Sequence, residues 1–191
     1  NVRAATRHMT DLIEDLLSYS KLERRKLSST VIRLPAFISK VLAQFEDSLK
    51  NVRLTVSVDD FHVRADPDGL AIALRNLVDN ALKFSQHAPE PAIEIRAWTS
   101  DSNCILCVRD NGIGFDMRFY DKIFEIFQRL QRAEEYPGTG IGLAMVQKAM
   151  ERMRGRVWAE SQVGAGAVFY LQLPLSGPTP ESPEQLQEHN P

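Results

Sequence analysis

Read as a succession of apolar and polar positions, the chain changes period several times, and each change predicts an element boundary. From residue 2 to about residue 27 there is neither Gly nor Pro. Met9, Leu12, Ile13, Leu16, Tyr19 and Leu22 recur there at threes and fours, which predicts one amphipathic helix. The next segment changes period, so the stripe is expected to pair with a helix of upstream sequence or of another chain. Ser28-Ser29-Thr30 breaks the pattern and places a domain boundary near residue 29. Residues 31–34 then predict a short strand before Pro35, residues 36–49 a core-facing helix, and residues 54–58 an alternating strand. Asp66-Pro67, a capping residue followed by a proline suited to the first helical turn, opens a long helix that runs to about Gln86.

That long helix separates its positions onto two adjoining stripes. Asn76, Asn80 and Lys83 share one face, and Leu74, Leu77, Val78 and Ala81 share its neighbour. Two carboxamides and an ammonium in line could hold a metal ion and the phosphates it neutralises, or simply meet solvent. Sequence further along has to decide. Residues 92–99 and 103–109 alternate as two strands joined by Ser100-Asp101-Ser102, an antiparallel hairpin. Cys104 and Cys107 fall in its second strand, where an odd separation sends them to opposite faces, and no second pair completes a zinc site. They are read as buried strand cysteines.

Asp110-Asn-Gly112-Ile-Gly114-Phe115 follows, a carboxylate at a strand end before two glycines, which alone marks only a turn. Residues 116–138 mix Phe119, Tyr120, Phe124 and Phe127 with Lys122, Arg129 and Arg132, a composition that predicts a mobile lid. Gly138-Thr139-Gly140-Ile141-Gly142-Leu143 then opens a helix, and backbone N–H groups left free at a helix start favour anions. Residues 156–160 and 167–173 are expected to be the closing strands. From Ser176 the chain turns to Pro, Glu and Gln, and residues 176–191 are expected to be disordered.

Composition narrows the partners. The chain has 191 residues, 43% hydrophobic and 25% charged, with a formal net charge of -2. That size and balance suit one well-buried domain and an appendage, and the charge offers no general attraction for nucleic acid. A phosphate ligand would therefore need a local site. No apolar run reaches membrane-spanning length, and two cysteines fit a reducing cytoplasm. The chain begins at Asn1 rather than Met, which implies a piece of something longer.

Three features that are weak singly occur here in one order: the Asn76, Asn80, Lys83 helix, then Asp110 with its glycines, then the glycine run before a helix. In that order they resemble the Bergerat-type ATP-binding fold, and in finer spelling the catalytic domain of sensor histidine kinases. Residues 75–84 match that family's N box, 110–115 its first glycine box, 122–129 (Lys-Ile-Phe-Glu-Ile-Phe-Gln-Arg) its F box, and 138–143 its second glycine box. The F-box wording, continuing through Arg132-Ala-Glu-Glu-Tyr-Pro137, also resembles the kinase modules of phytochromes. The resemblance implies a two-layer α/β sandwich of a mixed, mostly antiparallel sheet and helices over residues 29–175. Residues 1–28 would be the second helix of a dimerisation and phosphotransfer hairpin, and the remainder a tail.

It also implies roles. Asp110 would accept a hydrogen bond from the adenine amine, an interaction whose loss costs roughly 1.5–3 kcal/mol. Gly112 and Gly114 would let backbone pass close to the purine, and Phe84 would line the pocket. Asn80 would carry its amide oxygen to Mg2+, which also ligates the phosphates, while Lys83 balances their charge. The N–H groups of Gly138, Thr139, Gly140, Ile141, Gly142 and Leu143 would hold phosphates at the helix start. Arg129 would stabilise charge on the transferred phosphoryl group. Asn76 stands where the hydrolysing branches of this fold usually carry a glutamate, and an amide has no comparable basicity toward water. The expected activity is transfer of the γ-phosphoryl of Mg-ATP to a histidine, for relay to a response regulator receiver domain, with a homodimer formed through the first helix. Alternatives are an ATP-hydrolysing Bergerat enzyme, a docking module, and a regulator whose main activity is dephosphorylation.

Two departures limit the match. The helix carrying the acceptor histidine is missing, and His8, flanked by Arg7 and Met9, does not fit the acidic-neighbour pattern of an H box. No phosphoacceptor is therefore assigned within these residues. Where the family usually shows His-Gly-Gly, this chain has Met153-Arg154-Gly155, outside the four boxes.

Overall fold

The computed structural model describes residues 2–131 and 135–176, with the side chains of residues 2–5, 7 and 8 left aside. The side chain of His8 and the tail expected beyond Ser176 thus lie outside the described residues. The elements in order are α1 (Val2–Arg24), β1 (Thr30–Arg33), α2 (Leu34–Leu42), α3 (Glu46–Leu49), β2 (Arg53–Ser57), β3 (His62–Ala65), α4 (Pro67–Ser85), β4 (Ala92–Ser100), β5 (Asn103–Asp110), α5 (Gly142–Arg152), β6 (Arg156–Gln162) and β7 (Gly166–Pro174). The helix expected over residues 36–49 starts two residues earlier, at Leu34. It is interrupted by a 3-10 turn at Ala43–Phe45 before α3.

Five strands form one mixed sheet in the order β2-β4-β5-β7-β6. Only β2 and β4 run parallel; the other neighbours are antiparallel. β1 and β3 make a separate antiparallel pair. One face of the large sheet is covered by helices, as alternation along the strands requires: Ile93 and Ile95 of β4, Leu106 and Val108 of β5, and Phe169, Leu171 and Leu173 of β7 meet Leu70, Leu74, Leu77, Val78 and Ala81 of α4 and Val146, Ala149 and Met150 of α5 in one core. This is the two-layer α/β sandwich. α4 runs across it because Asp66 caps its start, accepting from the Gly69 N–H at 3.0 Å, and Pro67 stands in the first turn. Cys104 and Cys107 are both buried and unpaired, on strand β5, and burial pushes the Cys104 thiol up to about 12.

The first helix is not free of its own chain. Leu22 is buried, Lys148 of α5 pairs with Glu23 at 3.1 Å, and the Arg152 guanidinium donates to the carbonyls of Glu23 and Arg25. Arg25 then reaches Asp66 at 3.0 Å and Asp68 at 2.7 Å, fastening the end of α1 to the start of α4. The other part of the apolar stripe, at Met9, Ile13, Leu16 and Leu17, remains exposed. α1 therefore has one covered edge and one bare one.

Candidate functional site

The polar stripe of α4 faces the glycine-rich start of α5, and the packing explains why. Gly142 has no side chain where it meets α4: a Cβ added there would lie 2.8 Å from the Asn76 Oδ1. Asn76 is fixed in turn, its Nδ2 donating to the Ile72 carbonyl at 2.8 Å. Two turns further on, Lys83 puts its ammonium 3.1 Å from where a Gly138 side chain would stand, and 4.5 Å from the centre of the Phe84 ring. Burial lowers the Lys83 pKa, with Asp79 opposing that shift and Arg129 adding to it. A half-buried ammonium beside a second cation is an electrostatic arrangement that an incoming polyanion relieves.

These groups line a cavity of about 330 Å³. Asn76, Asn80, Lys83, Phe84, Asp110, Gly114, Arg129, Gly138, Thr139, Gly140, Gly142 and Leu143 all reach it. Gly112 and Ile141 do not, and their surroundings say what they do instead. A Cβ on Gly112 would lie 2.3 Å from the Phe84 carbonyl oxygen, so this glycine lets the end of β5 close onto the end of α4. Gly114, with φ +61, approaches the Gln162 carbonyl in the same way, and a Cβ there would lie 2.1 Å from it. Both glycines hold the loop against protein backbone. Ile141 is fully buried, and it precedes α5 without a capping side chain, leaving the N–H groups of the helix start available.

Asp110 ends β5 at the far side of the cavity and is 5% exposed. It accepts from the Gly112 N–H at 2.8 Å, and a further backbone bond comes from Ala167. Burial nevertheless dominates and pushes its pKa up to about 6, the two backbone bonds and Arg109 only partly offsetting it. A buried carboxylate left in that state is suited to a ligand that donates a hydrogen bond. The Asn80 side chain lines the cavity and makes no hydrogen bond to the described residues. Among the described residues no group of three His, Cys, Asp or Glu side chains is placed to hold a metal ion. Any cation here would have to take much of its coordination from a ligand rather than from a protein cage.

Of the segment expected to be a lid, residues 132–134 lie outside the described residues, and the others touch the rest of the chain at a few points. Ile123 and Phe124 are buried, whereas Phe127 is 56% exposed with φ +67. Its N–H donates to the Gly140 carbonyl at 3.0 Å, which pins the F box to the glycine run. Arg129 Nη2 donates to the Tyr136 carbonyl at 2.8 Å. Tyr136 is buried, with its ring 5.4 Å from Phe84 and 5.8 Å edge-on to His87. Its place on the cavity wall, like those of Asp11, Asp15 and Asp79, was not anticipated. Asp79 lies three residues after Asn76 and four before Lys83, a spacing that could have signalled it. Asp11 and Asp15 belong to α1, and nothing in sequence ties that helix to this cavity.

The model of the family described as histidine kinase-, DNA gyrase B-, and HSP90-like ATPase matches residues 65–177, which is more than half of the chain. The chain belongs to this family. Within it, the relatives point to the ATP-binding catalytic domain of sensor histidine kinases. Cyanobacterial phytochrome A of a Nostoc species is 39% identical over 88% of this chain, and phytochrome-like protein Cph1 of a Synechocystis species is 34% identical over 87%. This chain spans 22% of the length of each, so it resembles one part of a larger sensor. A solved complex of the histidine kinase ThkA with the response regulator protein TrrA is 25% identical, with a TM-score of 0.73 over 92% of this chain and 49% of that one. The sandwich described above is thus the fold of a histidine kinase catalytic domain.

Proposed function

We propose that this chain binds Mg-ATP in the cavity between α4 and α5 and transfers the γ-phosphoryl group to a histidine on a dimerisation helix. What carries the reading is the character of the cavity wall: Asp110 at one end, Asn80 and Lys83 with the start of α5 at the other, and an amide at Asn76 between the two helices. Asp110 takes the adenine amine, and Gly138, Thr139, Gly140, Gly142 and Leu143 surround the phosphates. Asn80 donates its amide oxygen to Mg2+, a cation that binds readily through phosphate oxygens and one or two protein groups, which suits the sparse donor set found here. Bound there, Mg2+ neutralises phosphate charge. Lys83 adds to that neutralisation, and Arg129, released from the Tyr136 carbonyl, meets the transferred group.

Asn76 directs the chemistry. Its Nδ2 is committed to the Ile72 carbonyl, and an amide cannot take a proton from water. We assign residues 1–28 to the second helix of a dimerisation hairpin, residues 29–175 to the catalytic domain and residues 176–191 to a tail. A second copy would pair along the bare edge of α1, and a receiver domain would take the phosphoryl group onward, as the ThkA complex with TrrA suggests. Among the described residues no helix is long and apolar enough to cross a membrane. We place the domain in the cytoplasm, where its buried thiols stay reduced.

The deciding experiment supplies ATP labelled in the γ-phosphate and a separate polypeptide carrying a histidine-bearing hairpin. Label should appear on that polypeptide in acid-labile form, and none on His8 of this chain. Steady release of phosphate with no acceptor present would instead establish the hydrolase.

A further inference from the structure

Asp11 and Asp15 reach the nucleotide cavity from α1, a helix that is also held against α5. They are one helical turn apart, so both carboxylates share one side of that helix. Asp15 does more than line the wall: the Thr139 hydroxyl donates to its Oδ2 at 2.5 Å. The same hydroxyl accepts the Ile141 N–H at 3.4 Å, so its donor role is taken by α1 and its acceptor role by the glycine run. A carboxylate thus stands at the mouth of the loop that the proposed function gives to phosphate, and accepts the hydrogen bond a phosphate oxygen would accept.

Two anions cannot share that position cheaply. A terminal phosphate brought to Thr139 meets Asp15 at contact distance and Asp11 beside it, in a half-enclosed cavity where charges are weakly screened. The grip that holds α1 there lies elsewhere, in the Glu23–Lys148 pair and the Arg152 bonds to the Glu23 and Arg25 carbonyls. We propose that the Asp15 carboxylate is a built-in competitor of the terminal phosphate, so that α1 seated on α5 and ATP bound in the cavity exclude one another. Reciprocity follows from linkage: ATP loosens α1 by the same factor by which seated α1 weakens ATP. The rest of the molecule, acting through α1, then sets how readily the domain loads with ATP.

The inference rests on the nucleotide reading of the cavity, and the test separates the two. Affinities for Mg-ATP and Mg-ADP are measured by titration calorimetry on the whole chain, on Asp15→Asn, and on the double variant Glu23→Gln with Lys148→Ala. The double variant loosens α1 without touching the cavity. Both changes should tighten ATP by about fivefold or more, the usual lower bound for a coupling of this kind, and should tighten ADP less. If Asp15 only holds Thr139 in place, Asp15→Asn will weaken ATP and the double variant will leave it unchanged, which overturns the proposal. Equal affinities in all three forms overturn it as well, with the nucleotide reading intact. No binding of either nucleotide to any form overturns the nucleotide reading itself.

Discussion

Asp110 shows how one residue ties stability to ligand binding. Its buried carboxyl has a pKa raised from 3.8 to about 6, chiefly through burial, so between those values the folded chain holds a proton that the unfolded chain has lost. The folded state therefore loses stability from this group as pH rises through that window, and gains nothing back above it. Under the proposed function binding runs the other way, because only the ionised form would accept the adenine amine without competing for its own proton. Adenosine, which has no phosphate to titrate, should bind with constant affinity above pH 6 and lose about tenfold per pH unit below it. Titrating adenosine between pH 5 and pH 8 checks the slope. Asp110→Ala, which removes both the charge and the acceptor, should cost at least about tenfold at pH 7 and leave no pH dependence.

At the scale of elements, the loop from β5 and the helix α4 are joined by the absence of side chains. Gly112 faces the Phe84 carbonyl and Gly114 the Gln162 carbonyl, both rigid backbone that cannot move aside. Gly112→Ala should destabilise the domain by about 1–3 kcal/mol, the usual cost of overpacking, and lower its thermal midpoint by several degrees. The other end of α4 rests on Asp66, which caps the helix and receives Arg25. Asp66→Ala should cost about 1–2 kcal/mol through the lost cap and more through the lost bond to Arg25, whereas Asp66→Asn, which keeps the cap and loses only the Arg25 and Ser28 acceptor, should cost less; denaturant unfolding distinguishes them. Most of these elements were legible in sequence because their signals are local. Asp66-Pro67 announced a helix, alternation announced the β4–β5 hairpin, and the glycine run announced a helix start. The interruption of the second helix at Ala43–Phe45 carried no such signal, since its apolar spacing continues through Phe45. Tyr136 was hidden for another reason: an aromatic in a charged loop shows its burial only once the loop is folded against Phe84.

The whole molecule turns on α1, the element whose surroundings sequence described least well. Its apolar stripe was legible, yet of that stripe Leu22 is buried while Met9, Ile13 and Leu16 stay exposed, and Asp15, off the stripe, meets the cavity. Asp15 lies two residues from both Ile13 and Leu17, about 200° round the helix. The helix can therefore meet the nucleotide cavity with one side and a second copy with the other. Ile13 and Met9 are each 60% exposed and Leu17 is 55% exposed, a run of large apolar groups that water does not favour. Burying each such side chain fully contributes about 1.5–3 kcal/mol, so a few per helix suffice for association at micromolar concentration. Sedimentation of the chain should show a dimer there, and Ile13→Asp with Leu17→Asp should give a monomer. Because those two side chains point away from Thr139, nucleotide affinity should be unchanged in the monomer. A loss of affinity on dissociation would mean that the second copy completes the cavity.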